Sequence, residues 1–302
     1  MRRCALLAGL NLALCAGACW GQAASPASTT TVEGLTVVAS KAEQAKLPEL
    51  VNRFVQGHGA ASRIDQLSRW SVPLCPRTGG LTAPFNAYVS TRVKLVAAAV
   101  GAPLEKRPNR NFPCKTNLLI VFTTTPQVLM DNVRKHHPDA LGFHYAAQAE
   151  RLATFDRPFK AWYVTGTQPE GGPIQEDKEF APMPGGEAGS RLTKRLASRF
   201  IGVLVVVDAR QIVGHQIRAI ADDIAMLSLA RASDLKGCSA LPTILDFLSP
   251  DCPAGPDPDG LTAYDVAYLK GLYSVDPEAN LLAQRSEIGS RILREIAPPG
   301  AP

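Results

Sequence analysis

Residues 200–232 read FIGVLVVVDARQIVGHQIRAIADDIAMLSLARA. The first part, Phe200 to Asp208, is an almost unbroken apolar run of strand length. Such a run suits a strand covered on both faces. The second part, Gln211 to Ala232, has the apolar spacing and length of a helix and is the longest one expected in the chain. A buried strand feeding a long helix needs further strands beside it and further helices over it.

Working outward, the flanks supply both. Asn117 to Thr124 (NLLIVFTT) is a second apolar strand, and Thr125-Pro126 opens a helix to about His137. Phe159 to Thr167 and Leu67 to Leu74 read as strands. Pro84 opens a helix closed by Gly101, the favoured start and stop residues. Leu47 to Gln56 is helical and halts at Gly57-His58-Gly59. Thr262-Ala-Tyr-Asp265 has the form of a capping box before a helix to Ser274, and Asn280 to Ile296 is the last helix. Strands and helices alternate early and helices dominate late. The expected fold is α/β (α+β), a mixed sheet with packed helices and a helical C-terminal part.

The first residues belong to another category. Arg2 and Arg3 precede an apolar run from Cys4 to Trp20, and Gly21-Gln22-Ala23 offers small residues before a cut. This is the layout of a secretory signal peptide over residues 1–23. Lipid attachment at Cys19 is the competing reading, but Ala16 stands where a large aliphatic residue is usual. Residues 24–46 read as a flexible lead-in with a short strand at Val32 to Ser40. Residues 47–298 form a single globular domain interrupted by a long Gly/Pro/Glu-rich loop at 168–190. The expected location is periplasmic or secreted. Losing the leader takes the formal charge from +5 to +3, too mild for a nucleic-acid partner. No later apolar run is long enough to span a bilayer.

Four cysteines remain after such a cut: Cys75, Cys114, Cys238 and Cys252. In an exported chain an even count indicates disulfides. Of the three possible pairings, proximity favours Cys75–Cys114 and Cys238–Cys252. The first carries a geometric tension. If a strand ends at Cys75 and another begins after Cys114, a parallel pair would hold them about 20 Å apart. Either the strands run antiparallel or the connection doubles back.

The buried strand, long helix, cysteine-bearing loop and LTAYDVAYLKGLY (261–273) together resemble uncharacterised exported proteins of proteobacteria. Those proteins are in turn distantly similar to metzincin-type peptidases, so the resemblance implies a zincin-like core over residues 200–275. In such peptidases the long helix carries H-E-x-x-H, whose histidines bind zinc and whose glutamate activates water. Here Asp222 stands at the glutamate position, and Ala221 and Ala225 at the two histidine positions. Alanine has no donor atom. The register from His215 keeps one histidine and loses the other ligand and the base. The expectation is therefore no metal, no cofactor and no catalytic residue set.

His215, Arg218 and Asp222 fall on one helix face at spacings of seven and four. The plain reading is a polar stripe with an Arg218–Asp222 ion pair. The sharper reading is a remnant cleft for an anionic or peptide ligand. Asp222 and Asp223 diverge by about 100° on a helix and do not make a carboxylate pair. Basic groups at 106–115 and 191–199 are ordinary solvated faces, or contacts to lipid phosphate or cell-wall carboxylates. The expected function is a non-catalytic exported envelope protein that binds or scaffolds an envelope protein, cell-wall or lipid component. The alternative is a hydrolase of zinc-independent chemistry using the same cleft.

Overall fold

The computed structural model describes residues 41–105, 114–178, 195–232, 237–253 and 255–296. Among these, the strands are β1 (Pro76–Gly79), β2 (Leu118–Thr123), β3 (Phe159–Pro169), β4 (Gln175–Glu176) and β5 (Leu196–Asp208). The helices are α1 (Lys41–His58), α2 (Ala83–Val100), α3 (Pro126–His136), α4 (Ala149–Ala153), α5 (Ile217–Leu229), α6 (Ala263–Ser274) and α7 (Leu281–Ile296). The fold is the expected mixed α/β arrangement with a helical C-terminal part.

The sheet order is β1-β2-β5-β3-β4. β1, β2 and β5 are parallel, while β3 runs antiparallel to β5 and β4 antiparallel to β3. The apolar run at 200–208 is central. Val205 faces Ile120 of β2 on one side and Ala161 of β3 on the other. Side chains alternate between faces of a strand, so such a strand needs two apolar covers. Val203, Val205 and Val207 join the main core, with Val93 and Val96 of α2, Ile224 and Met226 of α5, and Tyr268 of α6. Leu204 and Val206 join a smaller core on the other face, with Met130 and Val133 of α3 and Trp162 of β3.

The second cover is only partial. Leu118, Ile120 and Phe122 of β2 lie in the main core, but Leu119 on the opposite face is 42% exposed. The apolar run at 117–124 is thus not buried on both sides as expected.

Leu67 to Leu74 is not a strand. It makes only isolated bridges, Leu67 with Ala61 and Arg69 with Arg199. Its buried polar side chains hold it instead. Gln66 Nε2 donates to the Leu196 carbonyl at 2.8 Å, Ser68 Oγ meets Ser198 Oγ at 2.7 Å, and Arg69 Nη1 donates to the Leu272 and Val275 carbonyls. The strand begins just after, at Pro76. That resolves the tension at Cys75, because Cys75 precedes β1 as Cys114 precedes β2, on the same edge of a parallel pair. The disulfides are Cys75–Cys114 and Cys238–Cys252.

The long helix is shorter than its spacing suggested. α5 starts at Ile217, so the expected stretch from Gln211 is turn. Asp208 accepts hydrogen bonds from the backbone N–H and guanidinium of Arg210, which shapes a turn rather than a helix entry. Gly214 then takes φ +88, a left-handed conformation that interrupts helix. At the N-terminus α1 begins at Lys41, inside the expected lead-in. The long loop is also trimmed: β3 continues to Pro169 and β4 pairs with it, with Asp177 accepting from Thr165 and Thr167 hydroxyls. The capping box at Thr262 and Asp265 is present. The signal peptide, the strand at 32–40 and the loop beyond residue 178 to 194 lie outside the described residues.

Candidate functional site

Helix α5 crosses the sheet with two adjacent carboxylates in an otherwise apolar middle turn, and each goes to a different neighbour. Asp222 is fully buried and accepts two hydrogen bonds from Arg92 of α2, Nε to Oδ1 at 2.6 Å and Nη2 to Oδ2 at 2.9 Å. Leu261 N–H adds a third, at 3.3 Å. Gly260 lies so close that a Cβ there would stand 2.3 Å from Asp222 Oδ2. Asp222 therefore joins α2, α5 and the entry to α6, its two oxygens engaged by donors from Arg92 and Leu261.

The expected Arg218–Asp222 ion pair is replaced by this Arg92–Asp222 pair. The expected face of three also separates. His215 lies ahead of α5, not on it, and its Nδ1 meets Asp257 Oδ1 at 2.6 Å. Asp257 Oδ2 also accepts the Gln216 backbone N–H at 2.6 Å. The His215 hydrogen bond holds the Asp257 carboxyl below its usual range. The pair closes the first turn of α5 rather than presenting a ligand site. Ala221 and Ala225 are fully buried in the main core.

The other carboxylate is Asp223. It is 2% exposed, and its Oδ1 has no hydrogen-bond partner. Burial, reinforced by the nearby charge of Asp265, pushes its carboxyl well above the usual range. A buried acid without donors around it keeps its proton, because the charged form is poorly solvated there. Asp223 is the functional candidate that spacing alone does not single out. The available signal is that two consecutive acids in an apolar helix point to different sides and need two different partners.

Asp223 lines a cavity of about 390 Å³ between α5, the start of β3 and the loop 245–250. Phe159, Leu227, Leu245, Phe247 and Leu248 make its apolar wall, and Arg151, Arg157 and Lys160 its basic margin. The margin is partly neutralised: Arg157 pairs with Asp251 at 3.1 Å and Lys160 with Asp156 at 2.9 Å. Tyr163, also lining the cavity, donates its hydroxyl to the Leu227 and Ala230 carbonyls and so closes the end of α5.

The wall at 245–250 belongs to the loop closed by Cys238–Cys252. Leu248 there holds a left-handed φ of 55. The base of the loop is fastened by a buried polar group. Thr243 Oγ1 donates to Asp265 Oδ1 at 2.6 Å, Ile244 N–H donates to Asp265 Oδ2 at 2.8 Å, and His58 Nε2 meets Thr243 Oγ1 at 2.9 Å. His58 Nδ1 lies 2.8 Å from the Phe54 carbonyl, which makes it the donor there. Burial pushes the His58 imidazole below its ordinary value.

Comparison with protein-family models, curated proteins and solved structures finds no match to this chain. The site must therefore be read from its own chemistry. No helix among the described residues is long and apolar enough to cross a membrane.

Proposed function

We propose that this is a non-catalytic exported envelope protein with a zincin-like core that has lost its metal site, and that it binds a ligand in the Asp223 cleft. The observation that carries the binding reading is a buried acid that lines a cavity of small-ligand size and whose Oδ1 has no hydrogen-bond partner. An orphaned buried oxygen is unfavourable by about 1–3 kcal/mol, and a ligand donor relieves that. The disulfides agree with maturation in an oxidising compartment. The zincin-like element of the reading rests on the strand–helix order and on Asp222 at the position of the base. The cleft-facing residues of α5 are Asp223 and Leu227, two along from Ala221 and Ala225.

A hydrolase is the second reading, and one observation favours it. A carboxyl held protonated in a cleft has the form required of a general acid. The two readings divide on turnover. Fluorogenic ester, peptide and glycoside substrates are incubated with wild-type protein and with Asp223→Asn. The binding reading expects no turnover above buffer in either. Turnover in wild type that Asp223→Asn abolishes replaces it with the hydrolase. Metal content is checked on the same material. The expected outcome is no stoichiometric zinc by elemental analysis and an unchanged Tm with a chelator. About one tightly held zinc per chain overturns the lost-metal reading.

A further inference from the structure

We propose that the ligand of this cleft is a primary alkylammonium, its head group on the Asp223 carboxyl and its apolar stem against Phe159, Leu227, Phe247 and Leu248. The inference rests on the binding reading above and adds the ligand class.

The argument begins with what Asp223 lacks. Its buried Oδ1 accepts nothing, so the site is complete only when a donor arrives. The surroundings then choose between donors. Burial raises the Asp223 carboxyl and the charge of Asp265 on α6 raises it further, so a negative group lies near it on the inner side. Phe159 and Phe247 stand with ring centroids 6.2 Å apart in the cavity wall, and aromatic faces attract cations. The cavity wall is otherwise aliphatic, which suits a methylene stem. A neutral amide would satisfy the oxygen but gain nothing from the nearby charge or the rings.

Among the described residues the charged groups around Asp223 include Arg231, just past α5, which like Asp223 acts on the Tyr163 hydroxyl, and Asp246 of the loop, which like Asp223 feels Asp265. Asp265 faces Asp223 from α6, and the Tyr163 hydroxyl, from β3, is committed to carbonyls at the end of α5. Asp222, next to it on α5, is matched by Arg92. His58 lies behind Asp265, at 4.0 Å. Lys160 and Arg157, on the side of β3, are paired with Asp156 and Asp251, while Arg151 from α4 stands at the exposed margin. The incoming cation therefore passes a largely neutralised mouth and meets Asp223 with Asp265 behind it.

Binding exchanges one cation for another. The Asp223 carboxylic acid gives up its proton to solvent, and the carboxylate left behind accepts the hydrogen bonds of the ammonium. One proton leaves for each ammonium bound, and affinity rises with pH until the acid is ionised in the free protein.

The probes are n-hexylamine, the neutral isostere hexanamide, and Nα-acetyl-lysine methylamide, which carries the same head group on a peptide. Calorimetry in two buffers of different ionisation enthalpy reads affinity and proton release at pH 6 and pH 8. The variants are Asp223→Asn and Ser249→Trp, the latter filling the cleft without touching Asp223. Circular dichroism and melting confirm that each is folded. The expected result is amine binding with proton release, tighter at pH 8, weakened about tenfold or more by Asp223→Asn and lost in Ser249→Trp. The tighter of the two amines tells a free amine from a peptide lysine as the source. Hexanamide binding as tightly as hexylamine, or amine binding that Asp223→Asn leaves unchanged, overturns the ligand class and leaves the binding cleft standing. If no probe binds wild type at either pH, the ligand class and the binding reading fall together.

Discussion

Two neighbouring aspartates on α5 show how far one residue's surroundings decide its chemistry. Asp222 has a bidentate guanidinium and a backbone N–H, whereas Asp223 has neither. Removing the partner of the first should be severe. Arg92→Ala leaves a buried carboxylate without its counter-ion, and is expected to destabilise by about 3–5 kcal/mol in denaturant unfolding. Removing the titratable group of the second should have the opposite sign as pH rises. The folded-state pKa of Asp223 is raised, so folding holds a proton that the unfolded chain releases above about pH 4. Its favourable contribution is complete below that pH and is lost as pH rises towards the folded value. Asp223→Asn has no such proton to lose. The variant is expected to gain on wild type between pH 5 and pH 8, by up to about 1.4 kcal/mol per pH unit in unfolding free energy. An equal gap at both pH values would show that Asp223 is ionised in the folded protein.

At the scale of elements, periodicity carried the central strand, α2 with its Pro84 start and Gly101 stop, α6 with its capping box, and α7. It failed where side chains overrule local pattern. Leu67 to Leu74 has strand-like composition, yet Gln66, Ser68 and Arg69 spend their hydrogen bonds on other elements. The entry to α5 has helical spacing, but Asp208 and Gly214 bend it into turns. Of the residues expected at the site, Asp222 is ion-paired, but it is buried rather than on a polar stripe, and its partner Arg92 is 130 residues away in sequence, beyond reach of a helix-face argument. Asp223 was legible as a carboxylate and not as the cleft residue, because the cavity wall comes from a distant loop. Two glycines separate local from tertiary demands in one experiment. Gly214 has φ +88 with open space around it, so Gly214→Ala meets only the left-handed penalty, about 1–2 kcal/mol. Gly260 has φ +143 and a Cβ there would collide with Asp222 Oδ2 at 2.3 Å. Gly260→Ala is expected to lower Tm clearly more than Gly214→Ala. Equal losses would mean that the 260–261 turn yields without disturbing Asp222.

Across the whole molecule, the two disulfides do different work although both close loops. Cys75–Cys114, 39 residues apart in sequence, fastens the starts of the parallel strands β1 and β2 at the edge of the sheet. Cys238–Cys252, 14 apart, closes the loop that supplies Leu245, Phe247, Leu248, Ser249 and Pro250 to the cleft. Loop entropy assigns them about 4 and about 3 kcal/mol respectively, so neither dominates stability by that route. Their effects on the site should nevertheless differ. Replacing Cys75 and Cys114 with serine is expected to lower global stability while hydrogen exchange across 243–250 follows the global change alone. Replacing Cys238 and Cys252 with serine frees the loop ends, with Thr243 and Ile244 on Asp265, the Ser239 N–H on Asp246 and the Arg157–Asp251 pair still holding it. Those anchors lie at its base and its far side, while Leu248 keeps a left-handed backbone between them. The expected result is local opening: exchange at 245–250 faster than the global unfolding rate allows, with α5 and β5 protected as before. Protection at 245–250 that matches the first variant would show that those anchors suffice to build the wall, and that the second disulfide is not what shapes the cleft.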